Sequence, residues 1–230
     1  MKIQLGIMTA LLVATVPGCQ GSGSVSLDTD DQKASYGIGL DIGQNLMTVE
    51  SHLDIAALRV GIEDALAERE QRIPEEELEE IMVAFSETLQ LEAAAERVTQ
   101  SERNIEEGEA FLAENGAREG VTTTETGLQY EVLREGDGER PGEDSRATIH
   151  YRGTLVDGTE FDSSYEREEP AVFPLNGVIP GFSEGLRLMQ VGSQYRFAMP
   201  ADIAYGESGS PPSIGPNATL IFEVELLETS

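Results

Sequence analysis

The chain has 230 residues, 39% of them hydrophobic, enough for one or two domains of ordinary size with packed cores. Its 43 acidic residues against 15 Lys and Arg give a net charge of −28. So negative a surface repels nucleic acid phosphates and anionic lipid headgroups, which excludes both as partners and reads as a heavily solvated exterior. Gly and Pro are concentrated in the back half, so a Glu/Ala-rich front gives way to a Gly/Pro/β-branched back.

Residues 1–18 read as a signal peptide. Met1-Lys2 is a short basic start, and the apolar run from Ile3 to Val16 is shorter than the ~20 residues of a membrane-spanning helix. Residues 19–30 follow as a flexible tether opening with Gln20-Gly21-Ser22-Gly23-Ser24. Cys19 is the single cysteine, so no intramolecular disulfide can form. No structured base stands beside it in sequence, which argues against catalysis there. Val16-Pro17-Gly18-Cys19 resembles a bacterial lipobox, with Pro17 departing from the small or aliphatic residue usual there. The resemblance implies an exported protein, acylated at Cys19 and anchored at the cell envelope, at the outer membrane facing the periplasm or the surface.

Residues 31–115 are predicted to be helical. Over residues 31–47, Ala34, Ile38, Ile42 and Leu46 recur at i, i+4, interleaved with Gly37, Gly39 and Gly43. Asp54 suits the cap of a second helix bearing Ile55, Leu58, Ile62 and Leu66. A third opens at Pro74, expected as its first helical residue, with Glu75, Glu76 and Glu77 at the positive end of the dipole. It carries Leu78, Ile81, Met82, Phe85 and Leu89 and is expected to run to about Asn115, roughly 60 Å. Beyond Leu89 the stripe thins to Ala93, Ala94, Ala95, Val98 and Ile105, so that half is predicted to cross solvent as a spacer. A second copy would cover the stripe left bare, hence a homodimer. The acidic run 75–80 lacks the spaced ligands and turn Gly of a calcium loop, and His52 lies in a loop with no metal role.

After a linker at residues 116–126 the apolar period becomes two. Within residues 127–230, Leu128, Tyr130 and Val132 alternate with polar residues, then Ala147, Ile149, Tyr151, Gly153 and Leu155. Asp157-Gly158 signals a hairpin. Phe182, Leu186 and Met189 share one face of a short helix; Tyr195, Phe197 and Met199, and then Leu220, Phe222, Val224 and Leu226, make two more strands. The whole reads as α+β: helices first, then an antiparallel sheet with one short helix. His150 alternates with Tyr151 and is expected at the surface on the opposite strand face.

Five blocks stand in order: Ile149-His150-Tyr151-Arg152-Gly153, Asp157-Gly158-Thr159-Glu160-Phe161-Asp162-Ser163-Ser164, Val178-Ile179-Pro180-Gly181-Phe182, Ala204-Tyr205-Gly206, and Gly215-Pro216-Asn217-Ala218-Thr219-Leu220-Ile221-Phe222-Glu223-Val224. They resemble the signature blocks of FKBP-type peptidyl-prolyl isomerases. Ser35-Tyr36-Gly37-Ile38-Gly39, and Gly108-Glu109-Ala110-Phe111-Leu112 before Gly127-Leu128-Gln129-Tyr130, resemble the Mip-like subgroup with its N-terminal dimerisation domain. The resemblance covers essentially the whole mature chain. It implies a bent antiparallel sheet around one helix and a pocket holding Tyr151, Phe161, Asp162, Phe173, Val178, Ile179, Phe182, Tyr205 and Phe222. It further implies catalytic roles for Asp162, Tyr205 and Tyr151, substrate binding by the others, no cofactor or metal, and proline-containing polypeptides and rapamycin-type macrolides as ligands. Phe182 stands where many relatives have Trp. Arg167, which matches a functional Arg of some relatives only, is left outside the expected site.

The residues fit that reaction. No phosphate loop, Ser/His/Asp arrangement or Cys/His cluster is legible, and rotation about an X-Pro bond needs none, because no covalent bond is made or broken. Its barrier is lost amide resonance, roughly 18–20 kcal/mol for a peptide bond. The rival from another class is a non-catalytic dimeric chaperone or surface binding module, holding chains without turning them over.

Overall fold

The computed structural model describes residues 25–230. Cys19, the expected signal peptide and the start of the expected tether lie outside them. The chain divides into two compact units, one ending at Ile73 and one running from Pro74 to Ser230.

The first unit holds helix α1 (Asp30–Leu46), a short 3-10 stretch (Met47–His52) and helix α2 (Ile55–Leu66). Thr29 starts α1 with a capping box, its hydroxyl accepting from the Gln32 N–H while the Gln32 side chain accepts from the Thr29 N–H. Asp54 caps α2 by accepting from the Ala56 and Ala57 N–H groups. No residue of either helix is buried.

The second unit begins with helix α3 (Glu75–Gly116), 42 residues long. Pro74 is its N-cap and not its first helical residue: its ψ of 142° is extended. The distal half of α3 does not cross solvent as the thinning stripe suggested. It lies against the sheet domain through polar contacts: Asn115 Nδ2 donates to Gln129 Oε1 at 2.7 Å, and Gln129 Nε2 donates to the Leu112 carbonyl at 2.8 Å. Gly108 is buried there, where an added Cβ would stand 2.4 Å from Thr219 Oγ1.

Seven strands form one antiparallel sheet: β1 (Val121–Thr123), β2 (Gln129–Arg134), β3 (Arg146–Leu155), β4 (Glu160–Ser163), β5 (Ala171–Pro174), β6 (Gln194–Met199) and β7 (Leu220–Thr229). The order is β1-β2-β6-β7-β3-β4, with β5 beside β4 on the same edge of β3. Alternation puts Ala147, Ile149, Tyr151 and Gly153 of β3 inward, with Leu220, Phe222, Val224 and Leu226 of β7. Helix α4 (Pro180–Leu188) covers that face with Phe182 and Leu186. Burying each such side chain contributes about 1.5–3 kcal/mol, which is why this face holds the core. Gly185 lets α4 settle on β6, since an added Cβ would lie 2.8 Å from the Phe197 ring.

On the outer face Glu131, Arg196, Glu223 and Arg152 are register neighbours across β2, β6, β7 and β3. The alternating signs make each cross-strand pair attractive. Arg118 and Glu160 extend the row at either end, on Glu131 at 3.1 Å and Arg152 at 2.5 Å.

Candidate active site

Between the inner sheet face and α4 lies a hollow of about 280 Å³. Tyr151, Phe161, Asp162, Phe173, Val178, Ile179, Phe182, Tyr205 and Phe222 line it together with Gly177. Every pocket residue expected from the sequence is brought to this one place. β3 supplies Tyr151, β4 supplies Phe161 and Asp162, β5 supplies Phe173, and β7 supplies Phe222. Val178 and Ile179 lead into α4, which carries Phe182, and Tyr205 comes from the loop after β6.

The aromatic rings meet edge to face or tilted, none of them stacked flat, as their quadrupoles favour. Phe161 meets Phe222 at 5.5 Å and 84°, Tyr151 meets Phe173 at 5.7 Å and 64°, and Phe182 lies 4.9 Å from Phe222. Phe182 is 5% exposed and forms the floor. Gly153 makes the Phe161 wall possible: a Cβ there would lie 2.6 Å from that ring and 3.0 Å from Phe222.

The polar group of the cup is a cluster at its rim. The Tyr151 hydroxyl donates to Asp162 Oδ2, and the Arg167 guanidinium donates to Asp162 Oδ1 and, at 3.0 Å, to the Tyr151 hydroxyl oxygen. Arg167 also stands 5.7 Å from the Tyr151 ring centre. Burial alone would push the Asp162 carboxyl up, but the Tyr151 hydroxyl and Arg167 together hold it below the ordinary carboxylate value. Burial, reinforced by Asp162, pushes the Tyr151 hydroxyl up. Asp162 is therefore ionised and Tyr151 neutral at neutral pH.

Arg167 is the site residue that the sequence reading set aside. Its position five residues after Asp162, in the turn following β4, was the available signal. His150 lies outside the pocket as alternation predicts, though half-buried and not freely exposed. Its ring stacks on Tyr165 at 4.7 Å, and its Nδ1 is 3.0 Å from Ser164 Oγ.

A larger hollow of about 510 Å³ lies within the helical unit between α1 and α2, lined by Gly39, Ile42, Gly43, Leu46, Leu58 and Ile62 among others. The smaller cup sets its apolar walls beside the hydrogen-bonded Tyr151–Asp162–Arg167 cluster, the combination that binds and orients a ligand.

A bent antiparallel sheet closed by one helix over an aromatic cup, with an ionised carboxylate at the rim, defines a prolyl isomerase domain. Residues 137–227 match the family model described as FKBP-type peptidyl-prolyl cis-trans isomerase, and residues 31–132 the domain amino terminal to it. The chain is 45% identical over 206 residues to the FKBP-type 22 kDa peptidyl-prolyl cis-trans isomerase of Escherichia coli (strain K12), covering 88% of this chain and 97% of that one. It is 35% identical over 227 residues to the outer membrane protein MIP of Legionella longbeachae, covering 99% of this chain and 97% of the relative. The crystal structure of FkpA from Escherichia coli is similar at a TM-score of 0.67 and 35% identity, covering 89% of this chain and 99% of that one. This chain belongs to the FKBP-type peptidyl-prolyl cis-trans isomerase family. As a member it is an isomerase, and it binds proline-containing peptides and rapamycin-type macrolides. Among the described residues no helix is long and apolar enough to cross a membrane.

Proposed function

We propose that the enzyme turns X-Pro bonds of exported polypeptides by binding the twisted imide in the aromatic cup. Asp162, Tyr205 and Tyr151 are the catalytic groups, and Phe161, Phe173, Val178, Ile179, Phe182 and Phe222 hold the substrate. One observation carries this reading: an ionised carboxylate, fixed by Tyr151 and Arg167, stands at the rim of an otherwise apolar hollow.

A planar amide is more charge-separated than a twisted one. Moving it from water into the cup weakens its solvation more than that of the twisted form, so the cup binds the transition state preferentially. The rings grip the proline, and Ile179 offers its backbone N–H to a substrate carbonyl. It precedes the first turn of α4, where N–H groups have no intrahelical acceptor. The Tyr205 hydroxyl takes a second carbonyl, and Asp162 fixes the Tyr151 hydroxyl and orients the bound carbonyl. No step makes or breaks a covalent bond, and none calls on a cofactor.

We infer also that the helical unit pairs with that of a second copy, and that acylation of Cys19 tethers the dimer at the outer membrane. Supporting the pairing, Ile38 of α1 is 60% and Met47 of the 3-10 stretch 69% exposed, and neither α1, α2 nor that stretch has a buried residue. Supporting the anchor are the lipobox-like sequence and similarity to a relative named as an outer membrane protein over 99% of this chain. The exposed apolar helices also suit a folding-chaperone role beside turnover.

The test is a protease-coupled cis-to-trans assay on an X-Pro peptide, using protein beginning after Cys19, with and without rapamycin. Rapid turnover blocked by the drug is expected. A folded protein that binds peptide without turnover would establish the non-catalytic chaperone instead.

A further inference from the structure

Tyr205 belongs to the long connection between β6 and β7 and is 40% exposed, so its own packing does little to fix it. Its main chain is held from elsewhere. On α3, Arg97 Nη2 donates to the carbonyl oxygens of Glu207 and Ser208 at 3.1 Å each, within the 3-10 turn (Gly206–Ser208) that follows Tyr205. Asn104 Nδ2 donates to the Pro216 carbonyl at 2.7 Å, and Ser101 Oγ accepts from Asn217 Nδ2 at 2.7 Å. The Asn217 N–H donates to the Gly206 carbonyl at 2.9 Å, which carries the grip back to the residue beside Tyr205.

Arg97, Ser101 and Asn104 are spaced at i, i+4 and i+7, so they lie on one face of α3. Gly108 continues that face, at the point of closest approach to Thr219. The contacts fall on both sides of the segment 206–217, and Arg97 and Asn104 donate to backbone oxygens, so they hold the path of the loop whatever its side chains do.

We propose that Arg97, Ser101 and Asn104 are positioning residues of the isomerase: α3 sets where the Tyr205 hydroxyl stands over the cup. This rests on Tyr205 meeting the substrate as proposed above. Misplacing such a group by about 1 Å costs up to 100-fold in rate. The helix that leads into the catalytic domain is therefore also part of what makes its site competent.

The experiment is a mutant cycle in the protein beginning after Cys19, with kcat and KM read for an X-Pro peptide and folding read by thermal unfolding. The double change Arg97→Ala, Asn104→Ala is expected to lower kcat/KM about five- to ten-fold, the scale of one or two lost hydrogen bonds. In a Tyr205→Phe background the same change is expected to cost less than two-fold, because its effect runs through that hydroxyl. Arg97→Lys, which keeps a donor for the two carbonyls, is expected to retain most of the activity. If the double variant fails to fold, the single change at exposed Arg97 takes its place in the cycle. An unchanged kcat/KM, or the full loss added on top of Tyr205→Phe, would overturn the positioning role while leaving the proposed site standing. Wild-type turnover in Tyr205→Phe alone would remove the ground from both.

Discussion

The Tyr151 hydroxyl donates to the Asp162 carboxylate at the mouth of the aromatic cup. Arg167 closes on both, so a strand residue of β3 and one of β4 are locked together by a side chain from the turn after β4. Isomerisation as proposed needs a fixed dipolar environment more than a mobile proton, and this cluster is built as one.

Asp162→Asn should lower kcat/KM at least ten-fold with the fold retained. Its pH signature follows from the two shifts. The Asp162 carboxyl is lowered on folding, so its stabilisation is present above the ordinary 3.8 and is lost as pH falls below that. The Tyr151 hydroxyl is raised, so its share is present below the ordinary 10.0 and is lost as pH climbs above it. The stability difference between wild type and Asp162→Asn, read by denaturant unfolding, should be flat from about pH 5 to 9 and vanish in acid. With Asp162 41% and Arg167 50% exposed, solvent screening keeps that difference to about 1 kcal/mol or less. A difference that grew towards acid would contradict the assignment.

Phe182→Trp should raise the floor of the cup and introduce a reporter, since the sequence contains no Trp. Its fluorescence should change on adding rapamycin, with saturation giving the affinity directly. Phe182→Ala should instead cost about 3–5 kcal/mol, because it empties a site that is 5% exposed. A fluorescence signal indifferent to the drug would place the ligand elsewhere.

Gly153→Ala should damage the site more than its size suggests. The new methyl would stand 2.6 Å from the Phe161 ring, with Phe222 at 3.0 Å behind it. The Phe161 ring must swing into the cup, at about 1–3 kcal/mol of stability and with weakened drug binding. Calorimetric titration with rapamycin checks this, and unaltered affinity would show that the wall has room to move.

Ile42→Asp should separate assembly from catalysis. Ile42 lines the apolar hollow of the helical unit and is 41% exposed. A charge on a face buried between two copies is strongly unfavourable. Sedimentation should then show a monomer, while turnover of a short X-Pro peptide stays within two-fold of wild type. An intact dimer would mean that another face makes the pairing.

Much of this was legible from residue order. Alternating apolar residues in β3, β6 and β7 mark buried faces, and Asp157-Gly158 marks the hairpin, where Gly158 takes a φ of 87°. What escaped has physical reasons. β1, β4 and β5 are three or four residues long, too short for a period to register, and β1 is mostly Thr on a partly exposed edge. The docking of α3 was invisible because Arg97 and Asn104 bind backbone carbonyls, which carry no side-chain signature. A stripe that looked too polar to pack is polar because it packs on main chain. Arg167 lies in a turn without periodicity, so no pattern of spacing marks it, and its partners are seen only in the fold.

Strand β7 is the last in chain order, yet it sits inside the sheet between β6 and β3. It brings Phe222 to the cup and Val224 and Leu226 to the core. Until residues 220–229 have been synthesised, β3 and β6 have no common neighbour, and the half-built sheet exposes two raw edges. The sheet therefore stays open until β7 has been made and closes in a step dominated by distant pairings, the kind that slows folding. The aromatic cup is likewise the last part of the domain to be completed, because Phe222 arrives with that strand.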